Sequence, residues 1–335
     1  VTSILLVRLS AMGDLVQGLG AVEALHRARP EWRLTLVTQP EHLPLLALQP
    51  GLHRLVSFDR RAGWSGLWQV RRALRAEPYD VAVDLQGNWK SAMIAWLSGA
   101  RQRLGAAGPW RQEPASARLL HRRVPIPGHP HPALVAHTLV NALVPGLPFV
   151  PPRLLASPAE LAAEAAALRR LGLEPERPFR VFVVSDPRDP RALRPAILAA
   201  ELAAATLPTL VLLGPAEAQL VPPEGVPVLR HGRGELRRLV ALGALVAAAD
   251  GEVLGPDQGA SHVLAAAGAR CRVMFGAQDP RRTAPPAAVA LGHPAPPACA
   301  PCRRQSCSHP AGPVCMEFAP AMGRALSNEL PVARD

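Results

Sequence analysis

The stretch Ile4-Leu-Leu-Val-Arg8-Leu-Ser10-Ala-Met12-Gly13-Asp14-Leu15 changes period partway through. Four apolar residues in a row suit a strand buried on both faces. Gly13 and Asp14 read as a turn, and Leu15, Leu19, Val22 and Leu25 then recur at helical spacing until Pro30 stops the run. A buried strand that turns directly into a helix is the first half of a parallel strand–helix–strand unit.

The same alternation continues along the chain. Leu34-Thr-Leu-Val37 and Val81-Ala-Val-Asp84 read as strands, with an arginine-rich helix over 67–75 between them. Residues 105–132, rich in Pro, Gly, Arg and His, read as an irregular surface excursion, followed by a helix over 134–144. Pro145, Pro148, Pro151 and Pro152 mark an interdomain linker. After a helix over 159–171 ended by Gly172, a second alternation begins. Its strands fall at 181–184, 210–213, 252–254 and 272–275, and its helices at 197–205, 236–248 and 260–267. The expectation is an α/β chain with two doubly wound parallel sheets and a ligand cleft between them. The expected domains are 1–155, 156–315 and a tail over 316–335 that holds a final helix near 317–330.

Composition narrows the function. The 335 residues are 49% hydrophobic and 19% charged, which excludes a disordered chain. No run approaches the ~20 apolar residues of a membrane span. The apolar start, residues 1–7, is too short for a signal-peptide core, so a cytoplasmic location is expected. The formal net charge is +11, carried almost wholly by arginine, with Lys90 as the single lysine. That charge fits a GC-rich or heat-adapted source as well as a protein that meets phosphates, acidic sugars or an anionic membrane surface. Aromatics are 4% with one tyrosine, which supplies no stacking platform for nucleic acid.

Four segments carry candidate chemistry. Asp14 at a helix start would be held ionised by the helix dipole, and an ionised carboxylate can act as a general base; a plain capping role competes. Asp84-Leu-Gln86-Gly-Asn-Trp-Lys90-Ser91 again runs from strand through glycine to helix, with Lys90 placed to meet an anion or to be a surface lysine. Pro256-Asp257-Gln258-Gly259-Ala-Ser-His262 leads into a small-residue helix whose free N–H groups can cradle a diphosphate. Phe275-Gly-Ala-Gln-Asp-Pro280-Arg-Arg-Thr-Ala-Pro285 adds donors at a strand exit.

In this order and spacing the four segments resemble glycosyltransferase family 9, the ADP-heptose:lipopolysaccharide heptosyltransferases. The Cys-x-Pro-Cys and Cys-Met pieces near the end resemble the heptosyltransferase II subgroup. The resemblance implies a GT-B fold, two Rossmann-like domains facing across a cleft, with acceptor bound by the first and nucleotide-sugar donor by the second. It implies inverting transfer of a heptose or related sugar that needs no cofactor. Asp14 would be the base. Ser10, Met12, Gly13, Gln86 and Lys90 would meet the acceptor. Asp257, Gln258, Gly259, His262 and Glu217 would hold the donor, with Arg191 or Arg194 in place of the family's lysine. The expected partners are ADP-heptose and an anionic glycolipid at the inner membrane face, with no nucleic acid. The arginines at 101, 103, 111, 118, 122 and 123 would suit that acidic acceptor, or would form a solvated loop. After the strand over 181–184 the family's glycine, lysine and tryptophan are absent and Gln258 stands for its small hydroxyl residue. These donor-side departures leave a second reading: a catalytically degenerate relative that binds a sugar or nucleotide or scaffolds envelope glycan assembly.

Cys299, Cys302, Cys307 and Cys315 are spaced for a structural zinc site. A disulfide or reduced thiols fit the same spacing.

Overall fold

The computed structural model describes residues 2–128 and 131–327. They form two compact units that divide between Pro152 and Arg153, inside the proline-rich stretch.

The first unit has a six-stranded parallel sheet in the order β3-β2-β1-β4-β5-β6. Its strands are β1 (Ser3–Val7), β2 (Arg33–Thr38), β3 (Leu52–Ser57), β4 (Val81–Asp84), β5 (Gln102–Ala106) and β6 (Arg122–Val124). The crossover helices are α1 (Met12–Ala28), α2 (Gly63–Leu74) and α3 (Trp89–Leu97), and α4 (Pro132–Asn141) packs on α1. Ile4, Leu5, Leu6 and Val7 have no exposed surface, because β1 is central and covered on both faces. Gly20 on α1 permits a close approach: a Cβ there would lie 1.8 Å from the carbonyl oxygen of Val150.

The second unit has a seven-stranded sheet in the order β13-β12-β11-β10-β7-β8-β9. Its strands are β7 (Arg180–Val183), β8 (Thr209–Leu213), β9 (Val228–Arg230), β10 (Glu252–Pro256), β11 (Arg270–Phe275), β12 (Val289–Gly292) and β13 (Arg324–Leu326). The helices are α5 (Pro158–Arg170), α6 (Pro195–Ala203), α7 (Leu236–Ala248), α8 (Gly259–Ala266) and the single turn α9 (Pro280–Thr283). The Ser157 hydroxyl and the Glu160 carboxylate close a capping box at the start of α5. All pairs in this sheet are parallel except β12 with β13. Two doubly wound sheets are the domain content of the GT-B class.

Two expectations change. Residues 105–132 are not purely irregular, since β5 and β6 extend the first sheet. β6 is a three-residue edge strand that begins Arg122-Arg123, so it shows no apolar run. The helix expected over 317–330 is replaced in its described part by a 3-10 turn at Pro320–Met322 and by β13. Pro320 and Gly323 punctuate that segment, and pairing with β12 satisfies its backbone. Residues beyond 327 lie outside the described ones.

Candidate active site

Each sheet has one topological switch point, where successive crossovers leave in opposite directions. In the first unit it lies between β1 and β4, and in the second between β7 and β10. Ligands of such sheets bind beyond the strand carboxyl ends at these points. The candidate segments at 8–14, 84–90 and 257–262 all leave those strands.

In the first unit the loop after β1 is clamped from both sides. Gln86 Oε1 accepts from the N–H groups of Leu9 and Ser10 at 2.8 and 3.3 Å. Gln39 Nε2, from the exit of β2, donates to the Leu9 carbonyl at 3.0 Å. Asp14 is the third residue of α1, so the helix dipole favours its ionised form. Its Oδ2 forms an ion pair with Arg8 and accepts from the Ala11 N–H at 3.4 Å. Oδ1 has no partner among the described residues. The Asp14 side chain is 26% exposed, against 7% for Arg8. Arg8 also donates from Nη1 to the Leu85 carbonyl at 2.7 Å, so it joins the β4 exit to the Asp14 carboxylate. Gly13 lies inside α1 outside the left-handed region, so it does not make the expected turn. Ser10 and Met12 are half-buried beside it, and Lys90 is exposed on the first turn of α3.

Asp84 has a different role. Its Oδ1 accepts from the N–H groups of Gln86 and Gly87, each at 3.0 Å, and its Oδ2 pairs with Arg111 at 2.5 Å. Both side chains of that pair are fully buried. Gly87 has φ +83°, and a Cβ there would stand 3.3 Å from Arg111 Cα. The Asp-x-Gln-Gly segment is therefore a buried turn that presents Gln86. Arg111 is consequently unavailable to an acceptor. Three further arginines of the 101–123 group also bond to carbonyls: Arg103 to Leu119, Arg122 to Ala142 and Arg123 to Ala117.

In the second unit three strand exits are cross-tied. Gln258 donates to the Val184 carbonyl at 2.9 Å and accepts from the Ser185 hydroxyl at 3.0 Å, linking the β7 and β10 exits. Glu217, buried after β8, accepts from the N–H groups of Asp186 and Gly214 at 3.0 and 3.1 Å. Arg191 donates to the Asp257 carbonyl at 3.0 Å and binds Asp189 through Nε and Nη2 at 2.9 and 2.5 Å. That contact with Asp189 raises the Arg191 pKa. Burial pushes the Asp189 carboxyl up, but the hydrogen bonds from Arg191 outweigh it and leave a net lowering. Arg194 turns elsewhere, to Glu317 at 2.9 Å. Asp257 and His262 are buried together, Oδ1 to Nε2 at 3.1 Å. Gly259 opens α8, whose N-cap Gln258 makes no side-chain cap, so the first N–H groups of that helix remain available to an anion. The 276–285 segment lines a cavity of about 300 Å³ beyond β11 and β12, with Gln278, Asp279, Arg281 and His293 on its wall.

The zinc reading of the cysteines is not supported. Among the described residues no group of three or more His, Cys, Asp or Glu side chains is placed to hold a metal ion. All four are free thiols, with Cys299 and Cys307 exposed and Cys315 buried. A Cβ on Gly276 would lie 2.7 Å from Cys315 Sγ, and burial, with the neighbouring cysteines, pushes that thiol up to about 11. Sequence reasoning gave no role to Arg8 and Glu317, the partners of Asp14 and Arg194. Arg8 alone left a signal, a charge at the end of a fully apolar strand.

Among the described residues no helix is long and apolar enough to cross a membrane. Residues 67–189 match the model of glycosyltransferase family 9 (heptosyltransferase). The chain is 22% identical over 296 residues to the lipopolysaccharide core heptosyltransferase OpsX of Haemophilus influenzae, covering 84% of this chain and 81% of that protein. A glycosyltransferase family 9 structure from Veillonella parvula superposes with a TM-score of 0.73 at 17% identity, covering 87% of this chain and 85% of that one. The ADP-heptose lps heptosyltransferase II of E. coli superposes with a TM-score of 0.68 at 18% identity, covering 96% of each chain. The order and spacing of the loop motifs agree with these likenesses, which together support a glycosyltransferase of the family 9 (heptosyltransferase) type.

Proposed function

We propose that the protein transfers a heptose or a closely related sugar from a nucleotide-sugar, with ADP-heptose the expected donor, to an anionic glycolipid of the lipopolysaccharide-core type. The reaction is inverting. Asp14 takes the proton from an acceptor hydroxyl as that oxygen attacks the anomeric carbon. The bond from that carbon to the diphosphate breaks, and the nucleoside diphosphate leaves from the opposite face. The second unit holds the donor sugar and diphosphate with Asp257, Gly259 and His262, and the N–H groups at the start of α8 stabilise the leaving diphosphate. Arg191 contributes by holding the Asp257 loop, and no metal or other cofactor takes part. The acceptor is held in the first unit by Ser10, Met12, Gly13, Gln86 and Lys90. The protein works in the cytoplasm, at the inner membrane face.

One observation carries the reading. The Asp14 carboxylate, oriented through one oxygen, lies in the first turn of α1 just beyond the β1 loop, with its other oxygen unpartnered among the described residues. A base needs this combination of fixed orientation and a free lone pair. A second reading, a relative that binds donor without transfer, is favoured by the pairing of Arg191 and Arg194 with Asp189 and Glu317. The two readings separate in a transfer assay with ADP-heptose and a phosphorylated core glycolipid, followed by NMR. A product of inverted anomeric configuration is expected. Calorimetric binding of ADP without any product would favour the second reading, and a product of retained configuration would contradict the proposed mechanism.

A further inference from the structure

Helix α2 carries an outer face that its packing does not explain. Gly66, Val70 and Leu74 form its buried side, and Val70 and Leu74 join a core that also holds Ile94 and Ala95 of α3. On the opposite side Trp64 is 88% exposed and Trp68 is 59% exposed. At 3.6 residues per turn Trp64, Trp68, Arg71 and Arg72 fall within a sector of about 100°. Arg72 lies over the Trp68 ring at 5.7 Å, a cation–π contact. Arg60 and Arg61 are exposed in the 3-10 turn just ahead of the helix. Between Arg60 and Arg75 there are five arginines and no carboxylate. On α3, which shares the same core, Trp96 is 52% exposed.

Soluble proteins rarely leave two indoles of one helix face in water. A pair of indoles among uncompensated guanidinium groups matches one kind of surface. Indole rings favour the headgroup region of a bilayer, with the apolar ring inward and the N–H in water, and arginines beside them meet anionic headgroups. The geometry points to the outer face of α2 as a docking surface for an anionic lipid bilayer. Trp64 and Trp68 enter the headgroup layer, and Arg60, Arg61, Arg71 and Arg72 meet lipid phosphates. The inference deepens the proposed function and rests on it only for which membrane is met. Docking through α2 would hold the first unit against the layer that carries a glycolipid acceptor.

The test uses the whole chain and vesicles without any sugar acceptor, so it reads binding apart from transfer. Phosphatidylcholine vesicles with and without phosphatidylglycerol are compared by co-sedimentation and tryptophan emission. The native chain should bind the anionic vesicles, with a blue-shifted emission that brominated acyl chains quench, and it should release in high salt. Trp64→Ser with Trp68→Ser should lose about tenfold or more in partitioning together with the blue shift. Arg71→Gln with Arg72→Gln should lose about thirtyfold, at about fivefold for each arginine. Calorimetry with ADP should give the same result for both variants as for the native chain, which separates this inference from the donor reading. Failure of the native chain to bind anionic vesicles at low salt would overturn it and leave the face to a protein partner. Native-like binding by the tryptophan variant would also overturn it.

Discussion

The first unit holds two aspartate–arginine pairs at the exits of neighbouring strands. Asp84 and Arg111 are fully buried, and the carboxylate also accepts two backbone N–H groups. Asp14 and Arg8 make the same kind of pair, but Asp14 is 26% exposed and keeps one oxygen without a partner among the described residues. The first carboxylate is sealed from any substrate by burial, whereas the second is oriented and still reachable. An aspartate after a strand in a glycine-containing motif can thus be a buried brace or be left open for a role such as the base proposed for Asp14. Burial and partner count decide between these roles.

Breaking the buried pair should have the largest effect on stability. Asp84→Asn leaves Arg111 buried without its counter-charge, and the expected loss is about 3–5 kcal/mol, read as a fall in the denaturant midpoint. A stability change below about 1 kcal/mol would mean that the turn tolerates an uncharged partner. Arg8→Gln sharpens the contrast. It should slow transfer by about 10–100-fold, because the Asp14 carboxylate loses its orientation. Donor binding in the second unit should remain, and calorimetry with ADP measures it.

A third pair, Glu160 with Arg237, shows what partial exposure does outside the proposed site. Hydrogen bonds from Arg237 hold the Glu160 carboxyl at about 2, against the ordinary 4.5. A carboxylate of depressed pKa contributes stability above its unfolded value, and that contribution disappears as the pH falls from about 4.5 towards about 2. Glu160→Gln should therefore lower stability at neutral pH by up to about 1 kcal/mol, the scale of a solvent-screened pair. It should also flatten the acid limb of the unfolding curve between those pH values. An unchanged acid limb would show that the pair contributes nothing.

The sequence revealed the centre of each sheet better than its edges. β1, β7 and β10 are covered on both faces, so their apolar runs stand out. β3, β6 and β9 are short or edge strands that carry Arg54, Arg122, Arg123 and Arg230, and their periodicity is lost among polar residues. Asp14, Asp257 and His262 were legible because strand, turn and helix starts are local patterns. Their partners were not, since Arg191 reaches the Asp257 carbonyl across 66 positions and Gln258 reaches Val184 across 74. The arginines of 101–123 illustrate the same limit. Their clustering suggested an anion-binding surface, yet most of those described turn to carbonyls or to Asp84. The arginines flanking Trp64 and Trp68 drew no such attention, although their outer face is the one left uncovered.

The carboxylate of Asp14 is the centre of the proposed reaction. Single-turnover transfer by Asp14→Asn, measured beside calorimetric donor binding and thermal unfolding, addresses it directly. The rate should drop by about 10²–10⁴, the usual contribution of a general base, while donor affinity and Tm stay close to the native values. A variant that transfers sugar at the native rate would contradict the assignment, however well the rest of the fold agrees.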